Sequence, residues 1–321
     1  MIPAPLPPKA VAGGGSCRSH PDLGHSTSRV ETDSRIEISL GHVVEKTTAA
    51  PCPSHLAEAI RYAVFPGGGR VRPGLCLAVA QACGDKDPRL ADAAAVAIEL
   101  LHCASLVQDD LPCFDDASVR RGRASLHERF GEAVAVLVGD ALIVRAFAEV
   151  AEHIAAQPAA CAQILQALAA AAGAPLGIAA GQAWESEAAV DVNAYHHAKT
   201  AALFEAAAVC GAIAAGGDVE TWRHTGVLLG SAYQVADDIA DALGESGRLG
   251  KPTHQDGNHA RPSAVASLGT AGAVRLLDQR LHETMHSIPA CSRRESVENF
   301  VEMAAQRLCP PELRNQLRHT A

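Results

Sequence analysis

The chain has 321 residues and a formal net charge of −9, with a sequence pI near 5.9, a balance that argues against a nucleic-acid-binding surface. Hydrophobic residues make up 48% of it and aromatics only 3%, so its core must be built largely from small aliphatic side chains. Such a composition favours closely packed helices over stacked sheets. Ten cysteines lie inside helical patterns (Cys76, Cys103, Cys210) or singly in loops, with no C-x-x-C pair; reduced thiols in a cytoplasmic protein are expected.

In chain order, residues 1–31 carry Pro3, Pro5, Pro7, Pro8 and Gly13 to Gly15, and read as a disordered N-terminal extension without the apolar run of a signal peptide. Residues 32–321 read as one domain, because no linker composition interrupts the stretch to residue 308. Leu56, Ile60, Ala63 and Val64 mark a helix that ends at Pro66-Gly67-Gly68-Gly69. Pro73 opens a second one running to Cys83, stopped by Gly84-Asp85. Residues 91–108 form a long apolar helix bearing Glu99 and His102. Further helices are expected at about 124–130, 134–156, 160–173, 193–215, 220–244, 262–286 and 294–308. No run alternates with period two, so the fold class is all-α. No segment reads as long and apolar enough to span a bilayer; the nearest, 164–181, is rich in Ala and Gly and contains Gln166 and Pro175. Fifteen histidines, among them His196-His197, His254, His259, His282 and His286, form no zinc-ligand spacing.

Two acidic clusters stand out against this apolar background. The first is Asp109-Asp110-Leu111-Pro112-Cys113-Phe114-Asp115-Asp116; the second is Asp237-Asp238-Ile239-Ala240-Asp241. Carboxylates are costly in an apolar wall unless a positive charge meets them, and neither cluster has a fixed basic partner beside it. Oxygen-only ligands suit Mg2+, which is usually held by a few carboxylates plus substrate phosphates. Asp237 and Asp241 are four apart, hence on one helix face. Pro112 interrupts the helix in the first cluster, yet an interrupted turn could still aim Asp109 and Asp115 inward. Alone, that cluster is equally a loop or a calcium site, although the EF-hand pattern is missing. The bland alternative for either run is a solvated helix face.

Cations follow nearby: Arg120-Arg121-Gly122-Arg123 after the first cluster and Lys251 after the second. Gly67-Gly68-Gly69-Arg70-Val71-Arg72-Pro73 offers pliant backbone and two guanidiniums before a helix start, a workable diphosphate cradle. Lys199-Thr200 falls in an apolar helical stretch, where a lone lysine calls for an anion.

The order G-G-x-R-x-R-P, D-D-x-x-x-x-D-D, R-R-G, G-Q, K-T, Y-Q-x-x-D-D-x-x-D and G-K-P, over roughly residues 55–265, resembles the trans-isoprenyl diphosphate synthases, or polyprenyl synthetases. Gly181-Gln182-Ala183-Trp184-Glu185 and Gln255-Asp256 with His259-Ala260-Arg261-Pro262 look most like the geranylgeranyl diphosphate synthases of carotenoid and bacteriochlorophyll pathways in purple photosynthetic bacteria. The resemblance implies a single-domain helical bundle around a deep central cavity, with both acid motifs at its mouth. It implies Mg2+, with Mn2+ as an alternative, and a homodimer. Asp109, Asp115 and Asp237 would ligate the metal, with Asp110, Asp116, Asp238 and Asp241 completing the ligand sphere. Arg120, Lys199, Thr200, Gln234 and Lys251 would hold the allylic diphosphate, and Arg72, His102 and Arg121 the isopentenyl diphosphate. Asp109, Asp115, Asp237, Lys199 and Arg120 are the expected catalytic set.

Three positions depart from the family pattern: Gly69 stands for a lysine, Gln108 for a histidine and Arg261 for a lysine. Gly69 removes a cation from the isopentenyl diphosphate site, which Arg70, Arg72 and Arg121 still leave positive. Ala104 and Ser105 lie about one turn, roughly 5.4 Å, deeper than Asp109. Both are small, so growth past fifteen carbons is open there, with Leu101 a further turn down. A twenty-carbon product is expected. The alternatives are a farnesyl or longer product, a terpene cyclase, and a non-catalytic subunit that modulates a synthase.

Overall fold

The computed structural model describes residues 23–65, 67–243, 263–310, 313, 314 and 317, with the backbone alone for 23–31 and 308. The chain runs α1 (Leu23–Thr47), α2 (Ser54–Val64), α3 (Val71–Ala82), α4 (Pro88–Asp109), α5 (Leu126–Phe130), α6 (Glu132–Ala151), α7 (Pro158–Ala172), α8 (Ile178–Ala183), α9 (Val192–His196), α10 (Ala202–Ala215) and α11 (Val219–Ala242). Helices α12 (Ala264–Ser287) and α13 (Arg294–Leu308) follow. Helix α1 has no counterpart in the sequence expectation, and it begins inside the span 1–31.

Helix α10 forms the axis. It is apolar except for Glu205, buried at all positions but Glu205 and Ile213, and packs on α3, α4, α7 and α11. A helix that is apolar all round belongs in an interior, and its alanines let the neighbours come close. Helix α4 is a second interior helix, laid along α6, while α12 covers α11. Helix α4 and the stretch 192–215 are in fact long and apolar enough to cross a bilayer by length and composition, contrary to the sequence expectation. Their apolar windows are 78% and 83% buried within the protein, as core helices require.

Local signals set the helix starts. Pro88 occupies the first turn of α4 while the Asp87 carboxylate accepts from the Arg89 and Leu90 N–H groups. Asp191 and Asp218 cap α9 and α11 in the same manner, and Ser263 caps α12.

Two features depart from an unbroken helical reading. Val119–Arg120 and Arg123–Ala124 pair antiparallel around a two-residue turn, Arg121 and Gly122, both at positive φ. This small hairpin takes the place of the first residues of the helix expected at 124–130. Between α9 and α10 the chain makes one π turn, His197–Ala201. Gly181 and Gly230 press it from two sides: a Cβ on Gly181 would lie 2.6 Å from the Lys199 nitrogen, and one on Gly230 would lie 2.6 Å from the Ala201 Cα. Only glycine permits that backbone approach.

The Gly-rich loop after α2 leads to Arg70, whose buried guanidinium donates to Glu37 of α1, Glu99 of α4 and the Val64 carbonyl of α2. Burial works against its charge; Glu99 and Glu37 outweigh that and raise its pKa. Arg70 therefore ties three helices together, its guanidinium already engaged by two carboxylates and a carbonyl.

Candidate active site

Beyond Asp109 the chain leaves α4 and curls back. The Asp115 N–H donates to the Asp109 carbonyl at 2.9 Å, and Leu111 accepts from Phe114 and Asp116. Pro112 thereby does not disperse the cluster. Its turn closes the six-residue interval and sets Asp115 beside Asp109. Burial, with the Asp115 charge adding to it against the pull of Lys199, raises the Asp109 pKa above the usual carboxylate range.

Asp110 behaves differently. It is 3% exposed and receives the Arg120 guanidinium, through Nε at 2.9 and 3.2 Å and through a third short bond. Burial raises the Asp110 pKa against the opposing pull of Arg120. The expectation that neither cluster has a fixed basic partner is thus corrected: the hairpin that carries Arg120 folds it back onto Asp110. Asp116 is exposed and left-handed.

The π turn supplies the next group. Lys199 Nζ donates to the Gln182 amide oxygen at 3.2 Å and makes a short ion pair with Glu185, which also accepts from the Tyr195 hydroxyl. The anion that an apolar setting demands of this lysine is therefore Glu185, a residue that pattern reading did not assign to the site. Its signal was its place three residues after Gln182. Thr200 donates to Gln234 of α11, and Gln234 donates to Asp238 at 2.8 Å.

Asp238, 2% exposed, uses its other oxygen to accept the Ala264 N–H at 2.7 Å, at the start of α12. Each of its oxygens accepts one bond from the protein, so Asp238 also anchors α12 on α11. Asp241 is buried, and its Oδ1 has no hydrogen-bond partner. Asp237 lies one turn from Tyr233, whose pKa is raised to about 12 by burial and then by the Asp237 charge.

Arg72 stacks on Phe204 at 4.7 Å and Tyr233 at 5.5 Å, donates to His102 Nε2 at 3.4 Å, and keeps a buried Nε without a partner. Burial and then Arg72 and Arg121 hold His102 well below its ordinary pKa, so the imidazole is neutral. This concentration of guanidinium charge around a neutral acceptor suits an anionic ligand.

One π turn thus joins what the sequence set far apart. Lys199 acts electrostatically on Asp109, and the adjacent Thr200 is linked through Gln234 to the second cluster. Ala104 is 1% exposed in the core, and the Ser105 hydroxyl donates to its own helix at the His102 carbonyl. Lys251 and Arg261 lie outside the described residues.

The donor set fits a divalent cation. It is all carboxylate, one buried oxygen of Asp241 has no hydrogen-bond partner, and the Asp115 charge works with burial against ionisation of Asp109. Among the described residues, no three acidic, histidine or cysteine side chains are grouped closely enough to hold a metal by themselves. An ion here would draw part of its shell from substrate oxygens.

The polyprenyl synthetase family model matches residues 53–302. The chain is 48% identical to a geranylgeranyl diphosphate synthase of Cereibacter sphaeroides over 281 residues, 88% of this chain and 98% of that one. Another from Rhodobacter capsulatus is 47% identical, over 86% of this chain and 96% of that protein. Among solved structures, a Helicobacter pylori geranyltransferase complexed with magnesium and isoprenyl diphosphate superposes with a TM-score of 0.75 at 27% identity, covering 89% of this chain and 98% of that one. Motif order, helical architecture and these likenesses agree: the chain is a member of the polyprenyl synthetase family.

Proposed function

We propose that the protein condenses isopentenyl diphosphate with an allylic diphosphate (dimethylallyl, geranyl or farnesyl) to give geranylgeranyl diphosphate and pyrophosphate. The observation that carries this reading is the convergence of both acid clusters, Lys199 and Gln234 on one π turn, beside the Arg72, His102 and Arg121 group. The names of the two purple-bacterial relatives support the same reaction and product.

Asp109, Asp115 and Asp237, with Asp241 and Asp116 behind them, would hold Mg2+. Bound there, the cation would neutralise charge on the departing pyrophosphate. Lys199, released from Glu185 and Gln182, would meet the allylic diphosphate together with Thr200, Gln234, Arg120 and Lys251. Arg72, His102 and Arg121 would hold isopentenyl diphosphate, the neutral imidazole donating or accepting without adding charge. The allylic C–O bond breaks, the isopentenyl double bond attacks the cation, and a proton leaves to restore a double bond. Apolar surroundings deny water to that cation.

Ala104 and Ser105 support a twenty-carbon product, because neither projects bulk into the next turn down. Ala104→Tyr should shorten the product in chromatography; an unshifted chain-length distribution would remove these residues from that role. The direct test of the reaction is the purified chain with Mg2+, isopentenyl diphosphate and each allylic primer. No turnover would favour a modulating subunit, and pyrophosphate release without isopentenyl diphosphate a cyclase.

Residues 32–321 are read as one catalytic unit. A homodimer is supported by α6, where Leu137 (54% exposed) and Val144 (68%) lie seven residues apart on one outward face. Nine described cysteines are free, as expected in a reducing compartment, and the cytoplasm is the proposed location.

A further inference from the structure

The backbone of the Gly-rich loop is bare at three consecutive positions, and a guanidinium lies on each, that of Arg70 on Gly67. A Cβ on Gly68 would sit 2.5 Å from Arg121 NH2. At Gly69, where the family pattern places a lysine, Arg307 of α13 donates from NH1 to the carbonyl oxygen at 2.8 Å, and a Cβ would come within 3.4 Å of that nitrogen. The two residues are 238 positions apart in sequence, so no local pattern dictates the contact.

A cavity of about 410 Å3 opens at this place, lined among others by Gly68, Gly69, Arg70, Val71, Tyr233 and Arg307. Its acids are Asp33 and Glu37, the latter paired with Arg70. Tyr233 shares this cavity with Arg307, carries the stacked Arg72 and feels the charge of Arg121. The unpartnered, buried Nε of Arg72 is a second, independent sign that this group awaits an anion.

We propose that Arg307 supplies the positive charge that Gly69 lacks, making α13 the third wall of the isopentenyl diphosphate pocket alongside Arg72 and Arg121. The inference rests on the function proposed above and adds to it a binding residue from the C-terminal part of the chain. A lysine at 69 and an arginine at 307 would compete for the same few ångströms, so their effects should not add. Gly69 has no left-handed φ, and a Cβ there would meet the Val71 Cγ2 at 3.3 Å, so a side chain fits once that methyl shifts by a few tenths of an ångström.

The test is steady-state kinetics on the full chain, with each substrate varied in turn. Arg307→Ala should raise KM for isopentenyl diphosphate about tenfold, the loss of one charge-assisted hydrogen bond, with KM for the allylic primer unchanged. Arg307→Lys should recover most of it. Gly69→Lys on the Arg307→Ala background should restore the low KM, while Gly69→Lys alone should lower it little. Circular dichroism melts of each variant separate a folding defect from a binding defect. An unchanged KM for isopentenyl diphosphate, equal rises in both KM values, or no rescue by Gly69→Lys would each overturn the assignment of Arg307. Lack of any condensation by the unmodified chain would instead sink the proposed function itself.

Discussion

At the end of α4 the chain abandons the helix to bring Asp115 back beside Asp109, whereas Asp237, Asp238 and Asp241 stay in register on the regular helix α11. The irregular cluster binds one of its acids, Asp110, to a cation of its own hairpin; the regular one gives Asp238 to Gln234 and to the first turn of α12. By either route one carboxylate of each cluster is tied to the surrounding frame. The difference teaches that spacing alone does not sort ligand from scaffold. What sorts them is which neighbouring element folds back onto the acid.

The sharpest way to break this comparison is to neutralise one acid of each kind in the same cluster. Asp237→Ala should cut turnover by about a thousandfold, the several kcal/mol expected from losing charge stabilisation of the leaving group, with the melting temperature nearly unchanged. Asp238→Asn should cost only about tenfold in rate, as supporting groups around a ligand set do, but about 2 kcal/mol of stability through the lost buried charge-assisted bond. Equal kinetic losses at the two positions, measured with melts on the same samples, would erase the division of labour.

A smaller effect concerns Asp109. Its folded pKa is raised, so the native chain holds that proton more tightly than the unfolded chain does. The resulting stability is present below the ordinary carboxylate pKa and lost as pH rises through the elevated folded value. Metal-free Asp109→Asn should therefore lose less stability than the unmodified chain between pH 4 and neutrality, by a few degrees in the melt. Mg2+ with pyrophosphate should stabilise the unmodified chain at neutral pH and the variant hardly at all. Parallel melting curves across that range would show that Asp109 carries no such strain.

Most of the scaffold was legible. Apolar spacing located α2 to α4, α6, α7 and α10 to α13 because those helices bury a stripe or their whole surface. The ordered motifs pointed to the site because they share one chemistry. Most of the misses share a cause: they depend on contacts made between separate elements, beyond the reach of local patterning. The Arg120 to Asp110 pairing needs the hairpin, the fate of Arg70 needs α1, and the Glu185 to Lys199 pair needs α8 pressed on the next turn. Helix α1 itself escaped notice because its apolar positions are sparse among polar residues.

The π turn at His197–Ala201 has an implication for how this site can change. A wide turn holds one residue more than the surrounding helix needs, the trace left when a single amino acid is added without displacing its neighbours. Excising Ala198 would let α9 and α10 fuse into one uninterrupted rod, swinging everything upstream by about 100°. Glu185 would then be carried around the axis away from Lys199, which stays with Thr200 and Gln234. In such a lineage, losing one codon would do what no substitution does: leave every side chain of the site intact and part the two halves that meet at this turn.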